Sequence, residues 1–170
     1  MENQKIPLIY GLYGALLGFA FYFMLLVSGN SPWSSASWMG AWIPAVTAFF
    51  SIKKHISLKT EPFVTFSEVF RVAMIAILIQ AAAYELLVLL SDAILDTGAL
   101  EIYLAEVAEQ ADKVKDVLGE DFSNKIIDEI KKKSFSTLAF EDFVSKIIGG
   151  VIVSLILAAT LKKNKPLPLN

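Results

Sequence analysis

From Ile6 to Ile52 the chain carries not one Asp, Glu, Lys, Arg or His. A stretch of that length is too long for one membrane span and sufficient for two, at about 20 residues each. The natural break is "SGNSPWSSAS", Ser28 to Ser37, where Gly, Asn, Pro and Ser gather as turn formers do. Two more apolar runs follow, at about Val69–Leu90 and Val144–Leu161. The expected fold is therefore all-α: a single domain, residues 1–170, built as a four-transmembrane-helix bundle. The expected spans are about 6–28, 36–52, 68–91 and 143–161, with an extracytoplasmic amphipathic helical insert at about 97–135.

Composition agrees with lipid as the solvent. The chain is 55% hydrophobic and 19% charged, with a mean hydropathy of +0.58, whereas a soluble domain keeps a larger charged surface. A net charge of −2 gives no basic excess for nucleic acid. With no cysteine, disulfides, thiolate metal sites and cysteine nucleophiles are excluded. The run Ile6–Val27 exceeds the 7–15 residue core of a signal peptide, so an uncleaved first helix is expected.

Orientation follows from Lys and Arg in the short flanking segments. Lys53, Lys54, Lys59 and Arg71 lie in or beside the second connection, Lys162, Lys163 and Lys165 in the tail, and Lys5 before the first helix. The first connection has none. Both termini are thus expected in the cytoplasm of a bacterial inner membrane, with the 28–37 turn and the long insert outside. Trp33, Trp38 and Trp42 surround that outer turn and fit an interfacial aromatic belt. Pro7 suits a first helical turn, and "TFSE", Thr65 to Glu68, has the form of a capping box before the third helix.

In the insert, Leu104, Val107, Ala111, Val114 and Leu118 recur at spacings of three and four, with Gly119 placed to end the helix. A second amphipathic piece carries Phe122, Ile126, Ile127 and Ile130, and Lys131–Lys133 close it. Such a hairpin either buries its stripes locally or offers them to a partner.

These parts resemble a bacterial membrane family known as domain of unknown function 4199, common among Bacteroidetes. The resemblance rests on "FVTFSEVFRVAMIAILI" opening the third helix, on the acidic amphipathic insert, and on "IIGGVIVSLILAATLKKNKP" closing the chain. It implies an inner-membrane location and brings no catalytic residues.

Candidate functional residues are few. Glu85 lies in "IQAAAYELLVLLSD", inside the third span and about 8 Å outward of its midpoint near Gln80, at 1.5 Å per residue. Lys146 enters the fourth span from the same side. A Glu85–Lys146 pair would neutralise both groups; plain water contact and an ion or substrate role are the alternatives for Glu85. Gln80 can bond across helices or line a transport path. Pro44, near the middle of the expected second span, would free a carbonyl there. Gly11, Gly14 and Gly18 form a small-residue stripe, with Ser145, Gly149 and Gly150 of the fourth helix, or Ala73, Ala76 and Ala83 of the third, as plausible opposites, for packing within the chain or for self-association. His55, the only histidine, is expected at lipid headgroups beside Lys53 and Lys54.

No zinc set, catalytic triad, phosphate loop or calcium loop is present in the pattern, so no cofactor and no enzymatic activity are expected. The reading is a non-enzymatic accessory, assembly or scaffold subunit whose partners are the bilayer and another membrane protein or a second copy. A small transporter or channel using Glu85 and Gln80 is the alternative.

Overall fold

The computed structural model describes residues 2–60 and 63–163. Glu61 and Lys165 lie outside the described residues, as does the side chain of Leu118. Six α-helices follow in order: α1 (Glu2–Val27), α2 (Ile43–Ser57), α3 (Phe66–Leu95), α4 (Ala99–Leu118), α5 (Glu120–Ile130) and α6 (Phe135–Leu161). A short 3-10 helix, Ser35–Gly40, precedes α2.

Three of these helices are long and apolar enough to cross a membrane: Lys5–Val27, Phe66–Leu95 and Phe135–Leu161. They carry large apolar side chains outward, including Leu16, Leu86, Ile148 and Ile156, each more than half exposed. A water-soluble protein seldom shows so extended an apolar surface, and lipid accounts for it.

The second expected span differs. Helix α2 has 15 residues, about 22 Å at 1.5 Å per residue, short of a hydrocarbon core of about 30 Å. Its first expected turns, from residue 36, are instead 3-10 helix and turn, because the Gly, Ser and Pro content of 28–40 favours turns over a continuous helix. Pro44 consequently sits in the first turn of α2, where its missing N–H has no helical partner to lose. It does not interrupt the helix. Pro7 shifts the other way: α1 starts at Glu2, so Pro7 lies inside the helix rather than in its first turn.

Helix α3 is the centre of the bundle. Half of its most apolar stretch is buried, against 28% for α1 and 17% for α6. One buried cluster joins Ala48 and Ile52 of α2, Val69, Val72, Ala73 and Ile77 of α3, and Ala158 of α6. A second joins Ala15 and Tyr22 of α1 to Tyr84 and Val88 of α3 and to Ala99.

Caps set the ends. Thr65 Oγ1 accepts the Glu68 N–H at 3.2 Å, and Ser134 Oγ accepts the Thr137 N–H at 3.2 Å. The reciprocal half of the capping box is not made, since the Glu68 carboxylate is engaged elsewhere. Between α3 and α4 the chain reverses through Asp96 (φ 46°) and Gly98 (φ 66°), left-handed positions that Asp tolerates and Gly favours.

Helices α4 and α5 pack chiefly on each other. Ala111 is buried against α5, and Ser123 Oγ donates to the Ala111 carbonyl at 2.9 Å. Of the second stripe, Phe122 is half-exposed rather than folded inward. The hairpin touches the α1–α2 connection through α4: Glu106 Oε1 accepts the Ser31 N–H at 2.7 Å, and Trp33 meets Tyr103 edge-on. The hairpin and the 28–42 segment therefore share one end of the bundle. At the opposite end, Val64 and Lys163 exchange backbone hydrogen bonds of 3.0 and 2.9 Å, tying the chain after α6 to the α2–α3 connection.

Candidate functional site

Among the described residues a partly buried charged cluster joins α3 to α6. From α3 comes Glu85, 6% exposed. From α6 come Asp142 and Lys146, one helical turn apart on the same face. Lys146 Nζ donates to Glu85 Oε1 at 3.3 Å and is ion-paired with the Asp142 carboxylate. The same ammonium lies 4.1 Å from the centroid of the Tyr84 ring, where the negative ring face attracts it. Lys146 thus meets two carboxylates and a ring, while Glu85 Oε2 is buried with no hydrogen-bond partner among the described residues.

Asp142 is the member that sequence reasoning missed. With the fourth helix expected from about 143, Asp142 fell in a connection. Helix α6 starts at Phe135 instead, capped by Ser134, which places Asp142 two turns inside. The signal was present as an i,i+4 Asp/Lys pair in "EDFVSK".

Gln80, one turn and a half before Glu85 on α3, is not part of the ion cluster. Its side chain turns to the crossing of α1 and α2, where a Cβ on Gly14 would meet Gln80 Oε1 at 2.8 Å and would also clash with Thr47 Oγ1. Gln80 is 4% exposed and its Oε1 has no partner among the described residues.

The glycine stripe faces inward within the chain. A Cβ on Gly11 would come within 2.7 Å of the Ala76 carbonyl, and one on Gly18 within 3.1 Å of the Tyr84 ring. Gly150 packs on Ile77, whose Cγ2 would lie 2.5 Å from an added Cβ. Of the two expected opposites, the α1 stripe thus meets α3, with Ala76 at Gly11, and not Gly149 and Gly150. A Cβ on Gly149 would meet nothing within 4 Å.

Gly149 opens instead on a cavity of about 310 Å³. Its walls include Gly18, Phe21 and Tyr22 of α1, Gln80 and Tyr84 of α3, Asp142, Ser145 and Lys146 of α6, and Trp38 from the 3-10 segment. Glu85 lies behind Lys146 and lines a second hollow on the outer side of α3 and α6, with Leu86, Leu89, Phe140 and Phe143. The charged cluster therefore forms the partition between the two.

The three tryptophans divide. Trp38 is 79% exposed and Trp42 50%, as side chains at a lipid interface would be. Trp33 is instead packed edge-on between Tyr103 and Phe135, its Nε1 buried. It joins the α1–α2 connection to the hairpin, so it is covered by protein where a belt residue would face lipid.

His55 also departs from expectation. It is buried, and its Nε2 lies 2.8 Å from Glu68 Oε1. Lys59 Nζ is 2.8 Å from Glu68 Oε2. The reversal of the chain between α2 and α3 brings the end of one helix to the start of the next and covers His55 with protein. Among the described residues no three His, Cys, Asp or Glu side chains gather where they could hold a metal ion.

A model of a protein family of unknown function, DUF4199, matches residues 9–163. The chain belongs to the DUF4199 family. The match takes in α3, the hairpin and α6, so the cavity and the ion cluster lie within the region that defines membership. No curated protein and no solved structure matches the chain.

Proposed function

We propose that this DUF4199 member is a multi-pass protein of the bacterial inner membrane that works without catalysis, as an accessory or assembly subunit. In this reading α2 with its 3-10 lead-in serves as the fourth membrane element, both termini are cytoplasmic, and the α4–α5 hairpin projects on the extracytoplasmic side. The observation that carries it is the form of the hairpin. It packs on itself, is held to the α1–α2 connection at Ser31 and Trp33, and presents Val117 (82% exposed) and Phe122 away from the bundle. An arm that packs chiefly on itself and leaves apolar side chains uncovered fits a partner better than it fits a lone structural cap. The basic residues at the His55–Lys163 end support the orientation.

The test is photocrosslinking from positions 117 and 122 in native membranes. The reading expects one discrete protein adduct, lost in a Phe122→Ser variant probed from 117. Adducts to lipid alone, or none, would contradict it.

A second reading, a small transporter or channel, is favoured by one observation: Gln80 lines the cavity and Glu85 lies across Lys146 from it. Substrate flux in liposomes that responds to Glu85→Gln would support that alternative.

A further inference from the structure

The cavity under Trp38 combines three features that select one kind of ligand. Its walls present the rings of Phe21, Tyr22, Trp38 and Tyr84. Its polar side is the Asp142/Lys146 face of the ion cluster. It also persists because α6 has no side chain at Gly149.

Charge decides between ligands. Glu85 and Asp142 share the single ammonium of Lys146, which leaves one carboxylate charge to be matched by a proton or by another cation. An arriving anion would have to draw Lys146 from two carboxylates and from the Tyr84 ring face. An arriving cation meets a cluster with two carboxylates to one ammonium, beside Phe21, Tyr22 and Trp38, an acidic and aromatic setting of the kind that recognises ammonium groups. The volume, about 310 Å³, is at the lower end of the range of small-molecule sites. Gln80 also lines the inner wall, although its Oε1 is directed at Gly14.

We infer that this cavity is a binding site for a small lipophilic organic cation, an aromatic or alkyl ammonium. The ammonium sits at Asp142, the apolar body lies among Phe21, Tyr22 and Trp38, and Gly149 gives it room. The site stands whether the protein holds its ligand or moves it, and it does not depend on the hairpin having a partner.

The experiment is calorimetric titration of the full chain in nanodiscs with phenyltrimethylammonium. Its neutral isostere tert-butylbenzene and the anion benzenesulfonate serve as comparisons. The expected result is saturable binding of one cation per chain, with both comparison compounds at least tenfold weaker. Gly149→Leu fills the cavity from a position with free space and should weaken the cation at least tenfold. Asp142→Asn, which leaves Glu85 and Lys146 matched one to one, should do the same. If Asp142→Asn does not yield a folded protein, Gly149→Ala followed by Gly149→Leu still decides, with helix content and monodispersity as checks. Equal or tighter binding of the anion or the neutral isostere would overturn the inference. So would unchanged cation binding in a folded Gly149→Leu protein.

Discussion

Lys146 Nζ and Glu85 Oε1 stand 3.3 Å apart, joining α6 to α3 across 61 positions of sequence. The contact matters because Lys146 also holds Asp142, so the three groups are unequal. Removing the ammonium strands two carboxylates, whereas removing the Glu85 charge leaves an Asp142–Lys146 pair intact. Lys146→Met should therefore destabilise the bundle by about 3–5 kcal/mol, the range for breaking a buried pair from one side. Glu85→Gln should cost about 1–2 kcal/mol, on the scale of one hydrogen bond involving a charged group. Adding Glu85→Gln and Asp142→Asn to Lys146→Met should recover much of the loss. Thermal unfolding in detergent measures all three; equal effects of the two single variants would contradict the shared-cation geometry.

The glycines give a prediction of opposite signs. An alanine at Gly11 would press its Cβ to within 2.7 Å of the Ala76 carbonyl, a backbone atom that cannot swing away. Gly11→Ala should lower stability by about 1–3 kcal/mol through overpacking. Gly149→Ala meets no atom within 4 Å and gains helix propensity, so it should be neutral or stabilising by up to about 1 kcal/mol. Unfolding temperatures that fall alike for both would show that the two helix faces are not distinguished in this way.

At the other end, Glu68 accepts from both His55 and Lys59. Glu68→Ala should destabilise more than either His55→Ala or Lys59→Ala, because it leaves two partners unmatched at once. Double-mutant cycles on unfolding free energy should show coupling of Glu68 to each partner of about 0.5–3 kcal/mol. Strict additivity would remove this cluster as a clamp between α2 and α3.

The hairpin should be separable from the bundle energetically. Its footing is the Glu106 bond to the Ser31 N–H and the packing of Trp33 on Tyr103. Trp33→Ala should raise amide hydrogen exchange across residues 99–130 several-fold while leaving α3 protected, since local opening follows the local contacts. An equal rise in α3 would mean that Trp33 supports the whole bundle instead.

Three membrane-length helices were legible because runs of apolar residues without charge leave few alternatives in a chain of this composition. Helix α2 was not, because the same absence of charge extends through a Ser, Gly and Pro segment whose turn preference decides where the helix begins. The Glu85–Lys146 juxtaposition was anticipated from depth alone, while Asp142 was lost to a boundary set eight residues late. His55 shows a different limit. Its contact with Glu68 exists only after the chain reverses between α2 and α3, and no local pattern around His55 encodes that. Trp33 differs from Trp38 and Trp42 for a related reason: all three are near the turn between α1 and α2, but only the docking of α4 decides which one is covered. The cavity depended on several helices at once and was not foreseeable from any one of them.

The orientation of the bundle is the claim on which the proposed role rests, and the chain's lack of cysteine makes it directly measurable. Single cysteines at Lys125 on α5 and at Lys54 near the end of α2, both exposed positions, can be challenged in intact cells with a membrane-impermeant maleimide. The account predicts that Lys125→Cys is labelled at once and that Lys54→Cys is labelled only after the membrane is permeabilised. The reverse pattern would place the hairpin in the cytoplasm and contradict its proposed role as an external arm.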